Sequence, residues 1–165
     1  VLAAAGTTQE RQAQVVDADG LNLLAADPDR RDLRILTPHP GEAARLLGTD
    51  TASLHRDRFA AAAALVERYG GVALLKGAGT VVAGGDDLPA VVRGGNPGMA
   101  SGGMGDVLTG VIAGLCAQGL PLADAAIGGA CLHAWAADQA ARDGERGLLA
   151  GDLMPWLRRG VNPAA

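Results

Sequence analysis

Aromatic side chains are nearly absent from this sequence, since only 2% of its 165 residues are Phe, Trp or Tyr. Proteins that bind single-stranded nucleic acid stack bases on aromatic rings, so this scarcity argues against that class. The formal net charge is -4 and no block of basic residues occurs, which also disfavours nucleic acid as a partner. No uncharged run approaches the length of a membrane span. We therefore expect neither nucleic acid nor a membrane among the partners.

Cysteine is scarce as well, and two cysteines, Cys116 and Cys131, cannot build a disulfide-rich scaffold. Free thiols are typical of the reducing cytoplasm, so we expect a cytoplasmic protein in which both cysteines are buried small hydrophobes rather than nucleophiles. The abundant residues are alanine and glycine, with 34 and 25 copies. The glycines follow no collagen-like period, and 48% apolar residues with 19% charged ones argue against disorder.

Short apolar runs alternate with helical patterns along the chain, which indicates a layered α/β domain. The strands are predicted at 14–17, 33–37, 72–75, 80–83 and 90–93, with a loop at 84–87. The helices are predicted at 21–26, 41–47, 51–69, from Asp106 to about 115, at 122–142 and at 150–159. In such folds, ligands bind beyond the carboxyl ends of the strands, and the glycine-rich stretches here follow strands.

The strongest local pattern is a glycine-rich loop that leads into a helix, in which six of the twelve residues 94–105 are glycine. Free backbone N–H groups and the helix dipole converge at such a terminus and form an anion site. Asp106 follows at once, and a carboxylate there suits the orientation or deprotonation of a hydroxyl that attacks a phosphoryl group. The alternative is that Asp106 is only a helix N-cap.

Three further segments carry polar groups at strand ends. Lys76 is followed by a Gly-x-Gly turn and Thr80, which can hold a nucleotide or be an ordinary hairpin turn. Two prolines hold His39 extended, and Glu42 follows in the first helical turn, where an acid also favours the helix. Asp17 and Asp19 could meet a ribose, a metal-bound water or a loop backbone, or form an Asx-turn. His133 is expected to be a core or surface residue without a role.

In this order, the four segments resemble the ADP/ATP-dependent NAD(P)H-hydrate dehydratases, carbohydrate-kinase-like repair enzymes of the ribokinase-like superfamily. The matching strings are 16–24 (VDADGLNLL), 36–42 (LTPHPGE), 75–80 (LKGAGT), 95–110 (GNPGMASGGMGDVLTG) and, in the tail, 148–153 (LLAGDL) and 158–163 (RRGVNP). The resemblance implies a ribokinase-like layered α/β/α domain and nicotinamide nucleotide repair. Two positions depart from the usual family pattern: Met104 replaces a small residue, commonly Ser, and Gly20 replaces Ala.

The resemblance also implies roles for individual residues. His39 is expected to contact the hydrated nicotinamide nucleotide, and Asp106 to be catalytic and to face its hydroxyl. Glu42 is expected to steer Mg²⁺ through a water, by similarity to the wider superfamily. The ADP or ATP site is expected to be lined by Lys76, Gly77, Ala78, Gly79, Thr80 and Gly105.

The implied reaction transfers the hydroxyl of the (S)-hydrate of NADH or NADPH onto the terminal phosphoryl of ADP or ATP, which releases AMP or ADP and phosphate. Backbone N–H groups from Gly102 to Gly105 would neutralise the moving phosphoryl group. Two alternatives stay open: a kinase of the same superfamily that acts on a pyrimidine or thiazole alcohol, and a non-catalytic nucleotide-binding fragment.

The chain begins at Val1, whereas the family's domain is longer at its N-terminus. We therefore expect residues 1–165 to form the C-terminal portion of a single domain, with an unpaired edge strand that favours aggregation when the chain is expressed alone. The resemblance also implies a homo-oligomer, a tetramer, when the protein is full length.

Overall fold

The computed structural model of the protein describes residues 12–85 and 88–162. Their strands are β1 (Gln14–Val16), β2 (Arg34–Leu36), β3 (Val72–Leu75), β4 (Thr80–Ala83) and β5 (Ala90–Val92). Their α-helices are α1 (Asp19–Ala26), α2 (Pro40–Leu47), α3 (Thr51–Arg56), α4 (Arg58–Tyr69), α5 (Met104–Ala117), α6 (Leu122–Ala140) and α7 (Met154–Gly160). Short 3-10 turns occur at Pro97–Met99, Ala141–Asp143 and Ala150–Leu153.

The described strands form one sheet in the order β1-β2-β3-β4-β5. The first three are parallel, with Val16 opposite Leu36 and Leu36 opposite Ala73. β4 and β5 then continue the sheet as an antiparallel meander. Because β1, β2 and β3 run in the same direction, their carboxyl ends lie at one edge of the sheet, which is where the site is built. Within the described residues, β1 pairs only with β2 and is an edge strand.

Helices cover both faces of the sheet, as the continuous apolar run of β3 predicts. Ala73 and Leu75 point into a core with α1 to α4, whereas Val72 and Leu74 point into a core with α5 and α6. A third apolar cluster joins Met104, the C-terminal half of α6, and Leu153 and Leu157 near the end of the chain. The layered α/β/α architecture is therefore confirmed. None of the described helices has both the length and the apolar character that a membrane crossing requires.

The long helix predicted over 51–69 is wrong, because the chain breaks at Asp57 and forms α3 and α4. Asp57 has a non-helical backbone (φ -147°, ψ 90°), and its carboxylate accepts a hydrogen bond from the N–H of Ala60 at 2.9 Å. A capping aspartate competes with a continuous helix because its side chain satisfies the N–H groups of a new first turn. The break makes Arg58 the first residue of α4.

The helix predicted to begin at Asp106 instead begins at Met104, with Gly103 as its N-cap (φ +85°). Asp106 is the third helical residue, and no side chain caps the helix, so the alternative that Asp106 is an N-cap is wrong. Of the loop predicted over 84–87, residues 86 and 87 lie outside the described part of the chain.

Candidate active site

A cavity of about 730 Å³ opens at the carboxyl ends of the parallel strands. Its lining brings together several residues that the sequence analysis singled out, although they lie far apart along the chain. They are His39, the turn from Lys76 to Thr80, and Gly105. Residues 94–97 and 99–101 of the glycine-rich loop form another part of the wall. Three other residues do not line the cavity but adjoin residues that do. Asp106 follows Gly105 in the chain, and the side chains of Asp17 and Glu42 lie close to Lys76.

Lys76 follows β3 and links two strand ends through its ammonium group. Its Nζ donates to Oδ1 of Asp17 at 2.8 Å, and Oε2 of Glu42 lies 4.0 Å from the same nitrogen. The second carboxylate oxygen of Asp17 accepts from Oγ1 of Thr109 on α5 at 3.2 Å. The side chains of Asp17 and Glu42 are only 10% and 9% exposed. Two carboxylates thus face one ammonium group, and the cluster keeps one net negative charge.

Gly105 lies directly against the Asp17–Lys76 ion pair. A Cβ at this position would be 3.1 Å from Oδ2 of Asp17 and 3.3 Å from Nζ of Lys76, so the first turn of α5 approaches the pair closely because residue 105 has no side chain. The N-terminus of α5 and the Lys76 ammonium group therefore converge on one edge of the cavity. Both attract anions.

Asp106 is exposed on the first turn of α5, next to Gly105. Its carboxylate makes no hydrogen bond or ion pair with any other residue in the described ranges 12–85 and 88–162. A carboxylate without a protein partner at the mouth of an anion site is free to accept a hydrogen bond from a bound hydroxyl group.

His39 caps α2 in an extended conformation (φ -77°, ψ 168°), as the flanking prolines predict. Its Nδ1 accepts from the N–H groups of Gly41 (3.0 Å) and Glu42 (3.3 Å), and Oε2 of Glu42 accepts from the His39 N–H at 2.8 Å. This reciprocal capping box fixes the ring. Because Nδ1 is an acceptor, Nε2 is the donor nitrogen of the ring, and it lies 3.5 Å from Oε1 of Glu42.

Sequence reasoning missed two residues of the site. Arg58 donates to four backbone carbonyls in and just before the Lys76–Thr80 turn, those of Leu75, Lys76, Ala78 and Gly79. His133, predicted to have no role, lies in the cavity wall and is only 5% exposed. Burial lowers the pKa of His133, a backbone contact with Met104 opposes this shift, and the Lys76 charge adds to it. A signal for His133 was present, because it follows Ala130 by three residues on the face of α6 that packs against the sheet.

The two acids Asp17 and Asp19, which could have shared a ligand or formed an Asx-turn cluster, have different partners in the structure. Asp17 binds Lys76 and Thr109, whereas Asp19 is exposed in the first turn of α1, where Asn22 donates to it at 3.4 Å. The expectation that both cysteines are buried is also wrong, since Cys131 is exposed and Cys116 is half-buried. Burial raises the pKa of the Cys116 thiol, which disfavours the thiolate that a nucleophile needs.

The glycine-rich loop is anchored at both ends by contacts with the C-terminal part of the chain. The carboxylate of Asp138 on α6 accepts from the N–H of Gly95 and from Nδ2 of Asn96, both at 3.0 Å. Ser101 Oγ donates to the carbonyl of Leu148 at 3.0 Å. Met104, the departure from the usual family pattern, is 4% exposed and packs in the third apolar cluster.

The sequence is similar to those of known NAD(P)H-hydrate repair enzymes. A bifunctional NAD(P)H-hydrate repair enzyme, Nnr, of Escherichia coli K12 is 57% identical over 154 residues, which are 93% of this chain and 30% of that protein. An ADP-dependent (S)-NAD(P)H-hydrate dehydratase of Neisseria meningitidis is 46% identical over 158 residues, covering 89% of this chain and 53% of that protein. The chain thus spans between about a third and about half of the length of these relatives.

Solved structures show the same fold. An ADP/ATP-dependent NAD(P)H-hydrate dehydratase from Bacillus subtilis, co-crystallised with ATP/Mg²⁺ and soaked with CoA, superposes with a TM-score of 0.79 at 33% identity, covering 88% of this chain and 54% of that one. A ribokinase-like superfamily protein from Enterococcus faecalis also gives 0.79, at 26% identity, covering 94% of this chain and 55% of that one. The expected ribokinase-like fold is confirmed. The sequence model of the carbohydrate-kinase family described as NAD(P)H-hydrate dehydratase matches residues 3–159, and the chain therefore belongs to the NAD(P)H-hydrate dehydratase family.

Proposed function

We propose that this chain carries the nucleotide site of an enzyme that restores NADH and NADPH from their (S)-hydrates, with ADP or ATP as co-substrate and AMP or ADP and phosphate as products. The observation that carries the proposal is the shared cavity of His39, the Lys76–Thr80 turn and Gly105, with the free carboxylate of Asp106 beside it. An ammonium group and a helix N-terminus suit a polyphosphate, and a free carboxylate suits the hydroxyl that must react with it.

The nucleotide is proposed to lie along Lys76, Gly77, Ala78, Gly79, Thr80 and Gly105. The N–H groups of the first turn of α5 have no intrahelical acceptor and no side-chain cap, so they remain available to phosphate oxygens. The hydrated nicotinamide ring is proposed to contact His39 through Nε2–H. In this proposed arrangement, the phosphoryl group would develop its negative charge next to hydrogen-bond donors that are already in position, including backbone N–H groups from Gly102 to Gly105.

Asp106 is proposed to orient the hydroxyl of the hydrated ring and to accept its proton as the oxygen attacks the terminal phosphoryl group. The new bond joins the ring-bound oxygen to phosphorus, and the bond between phosphorus and the leaving nucleotide oxygen breaks. The ring nitrogen then expels the oxygen as part of phosphate, and the neighbouring ring carbon loses a proton, which restores the dihydropyridine. Phosphorylation is needed because phosphate leaves far more readily than hydroxide.

Mg²⁺ is proposed to accompany the nucleotide, with Glu42 holding it through a water. Within the described residues no group of three or more carboxylate, histidine or cysteine side chains could hold a metal ion directly, so the contact is proposed to run through a water, with the Glu42 and Asp17 carboxylates as nearby oxygen acceptors. Both Glu42 oxygens already face His39 or Lys76, and a water-mediated contact uses their remaining lone pairs. A bound Mg²⁺ would supply charge neutralisation at the phosphates.

For the whole protein we propose a cytoplasmic homotetramer in which residues 1–165 form the C-terminal portion of one dehydratase domain. The two free cysteines support a reducing compartment, and the β1 edge of the described sheet supports pairing with further structure. Nucleic acid and membrane are not proposed as partners.

The test is recovery of NADH absorbance from the (S)-hydrate, with phosphate release measured in the same reaction, on the purified full-length protein. Asp106→Asn is expected to lower the rate by about a hundredfold or more, as loss of a catalytic proton acceptor does, while ADP still binds. Asp124→Asn is the matched control, because Asp124 is likewise exposed in the first turn of a helix, α6.

Wild-type recovery of NADH by Asp106→Asn would refute the role of Asp106. A stable phosphorylated product without free phosphate would instead indicate a kinase. Binding of ADP without any hydrate-dependent phosphate release would indicate a non-catalytic nucleotide-binding protein.

A further inference from the structure

The guanidinium group of Arg58 lies inside the turn that joins β3 to β4. Nη1 donates to the carbonyl oxygens of Ala78 at 2.7 Å and Gly79 at 2.8 Å, and Nη2 donates to those of Leu75 at 3.0 Å and Lys76 at 3.3 Å. The fit is close, since a Cβ on Gly77 would be only 3.1 Å from Nη2. One side chain from α4 thus binds four carbonyls of a five-residue segment.

These four bonds decide which way the N–H groups of the turn face. In a trans peptide, the carbonyl of one residue and the N–H of the next point in opposite directions. Carbonyls held on Arg58 therefore turn the N–H groups of Lys76, Gly77, Gly79 and Thr80 away from it. The Lys76 N–H donates to the Pro38 carbonyl at 2.9 Å. The N–H groups of Gly77 and Gly79 have no acceptor among the described residues, and both glycines line the cavity.

Glycine is needed at both positions, since φ is +144° at Gly77 and +68° at Gly79. Such successive turns produce the concave arrangement of N–H groups that binds anions. Four converging carbonyl dipoles would repel one another if no cation lay between them. Without the guanidinium group, the peptides would rotate toward solvent and carry their N–H groups away from the cavity.

We propose that Arg58 is a positioning residue that holds the Lys76–Thr80 turn in its anion-accepting shape and so sets the affinity for the phosphates of the nucleotide without touching it. The inference rests on the proposed nucleotide site for the identity of the ligand. Lysine cannot replace Arg58. Its ammonium group is a compact charge with three donors, whereas the planar guanidinium group presents two terminal nitrogens that each bind two carbonyls here.

The experiment measures ADP binding by titration calorimetry on the full-length protein carrying Arg58→Ala or Arg58→Lys. Both changes are expected to raise the Kd for ADP about tenfold or more, because the loss of one hydrogen bond to a charged phosphate changes the Kd by about that factor. The KM for ADP should rise with a smaller change in kcat, because Arg58 lies outside the reacting groups. Millimolar guanidinium should restore part of the affinity of Arg58→Ala and leave the wild type unchanged.

Arg56→Ala and Arg56→Lys are the matched controls, because Arg56 is exposed two residues away and its guanidinium bonds only to Ser53 within the described residues. Both should keep the wild-type Kd. A folded Arg58→Lys protein with wild-type Kd would overturn the inference and leave the proposed function standing. If both Arg58 variants unfold and guanidinium restores no ADP binding, Arg58 is needed for the stability of the fold rather than for the shape of the turn. That result would also overturn the inference. Failure of the wild type to bind ADP would overturn the proposed function itself.

Discussion

Replacement of Gly105 by alanine tests whether the Lys76 ammonium group and the N-terminus of α5 act on the same phosphate. The added Cβ would lie 3.1 Å from Oδ2 of Asp17 and 3.3 Å from Nζ of Lys76, so the ion pair must move by a few tenths of an ångström. The 2.8 Å hydrogen bond between Lys76 and Asp17 can shift as a unit, because lysine is flexible. The ammonium group would then be displaced away from the helix terminus.

Two opposing effects determine the stability of Gly105→Ala. Alanine is better than glycine inside a helix by about 1 kcal/mol, and crowding of a packed site costs about 1 to 3 kcal/mol. The free energy of unfolding should therefore fall by no more than about 2 kcal/mol. The affinity for ADP should instead fall about tenfold, or about 1.4 kcal/mol, because a charged contact with phosphate is weakened.

Chemical unfolding and calorimetric titration of ADP on the full-length protein separate these two quantities. Gly110→Ala is the matched control in the same helix, because nothing lies within 4 Å of its added Cβ and its φ is not in the left-handed region. It should keep the wild-type Kd within about twofold, as neutral surface changes do. Wild-type affinity in Gly105→Ala would refute the convergence of Lys76 and α5 on the phosphate.

Two further changes test the core and the cavity wall. Tyr69→Phe removes the hydroxyl that donates to the Leu46 carbonyl at 2.7 Å in a fully buried site, so urea unfolding should show a loss of about 1 to 2 kcal/mol; an unchanged midpoint would mean that this bond contributes nothing. Burial lowers the pKa of His133 below its ordinary 6.5, so the unfolded chain takes up this proton first and the protein loses stability as pH falls through 6.5. The slope of stability against pH between about 7.5 and about 5.5 should be shallower in His133→Gln than in the wild type; equal slopes in the two proteins would contradict a neutral buried His133.

Local sequence patterns predicted most of the elements because each depends on residues close together in the chain. The apolar run Val72–Leu75 predicted a strand covered on both faces, and the alternation of its side chains between two cores confirms this. The break at Asp57 was missed, since aspartate is tolerated inside helices and its capping bond forms only once the backbone has turned. An aspartate can cap a new helix or lie inside a continuous one, and the packing of the segment that follows it decides between the two.

The candidate site was predictable only in part for a similar reason. His39, Glu42, Lys76 and the glycine-rich loop were visible because each belongs to a motif with its own spacing. The pairing of Asp17 with Lys76 joins residues 59 positions apart, and the bond from Thr109 to Asp17 spans 92 positions. No local pattern reports such contacts. Arg58 was missed because nothing in its neighbourhood indicates that a turn 17 to 21 residues later needs a cation.

The sequence alone determined which segments can approach a phosphate, because glycine spacing and helix-start chemistry are properties of short stretches of chain. It also determined the family, through strings that occur together in one order. Only the tertiary structure decided which charges meet. The parallel pairing of β1, β2 and β3 brings Asp17, His39 and Lys76 to one edge, where α5 closes on them and Arg58 fixes the turn. Charges separated by dozens of residues interact only after the sheet forms, since electrostatic energy depends on distance in space and on burial.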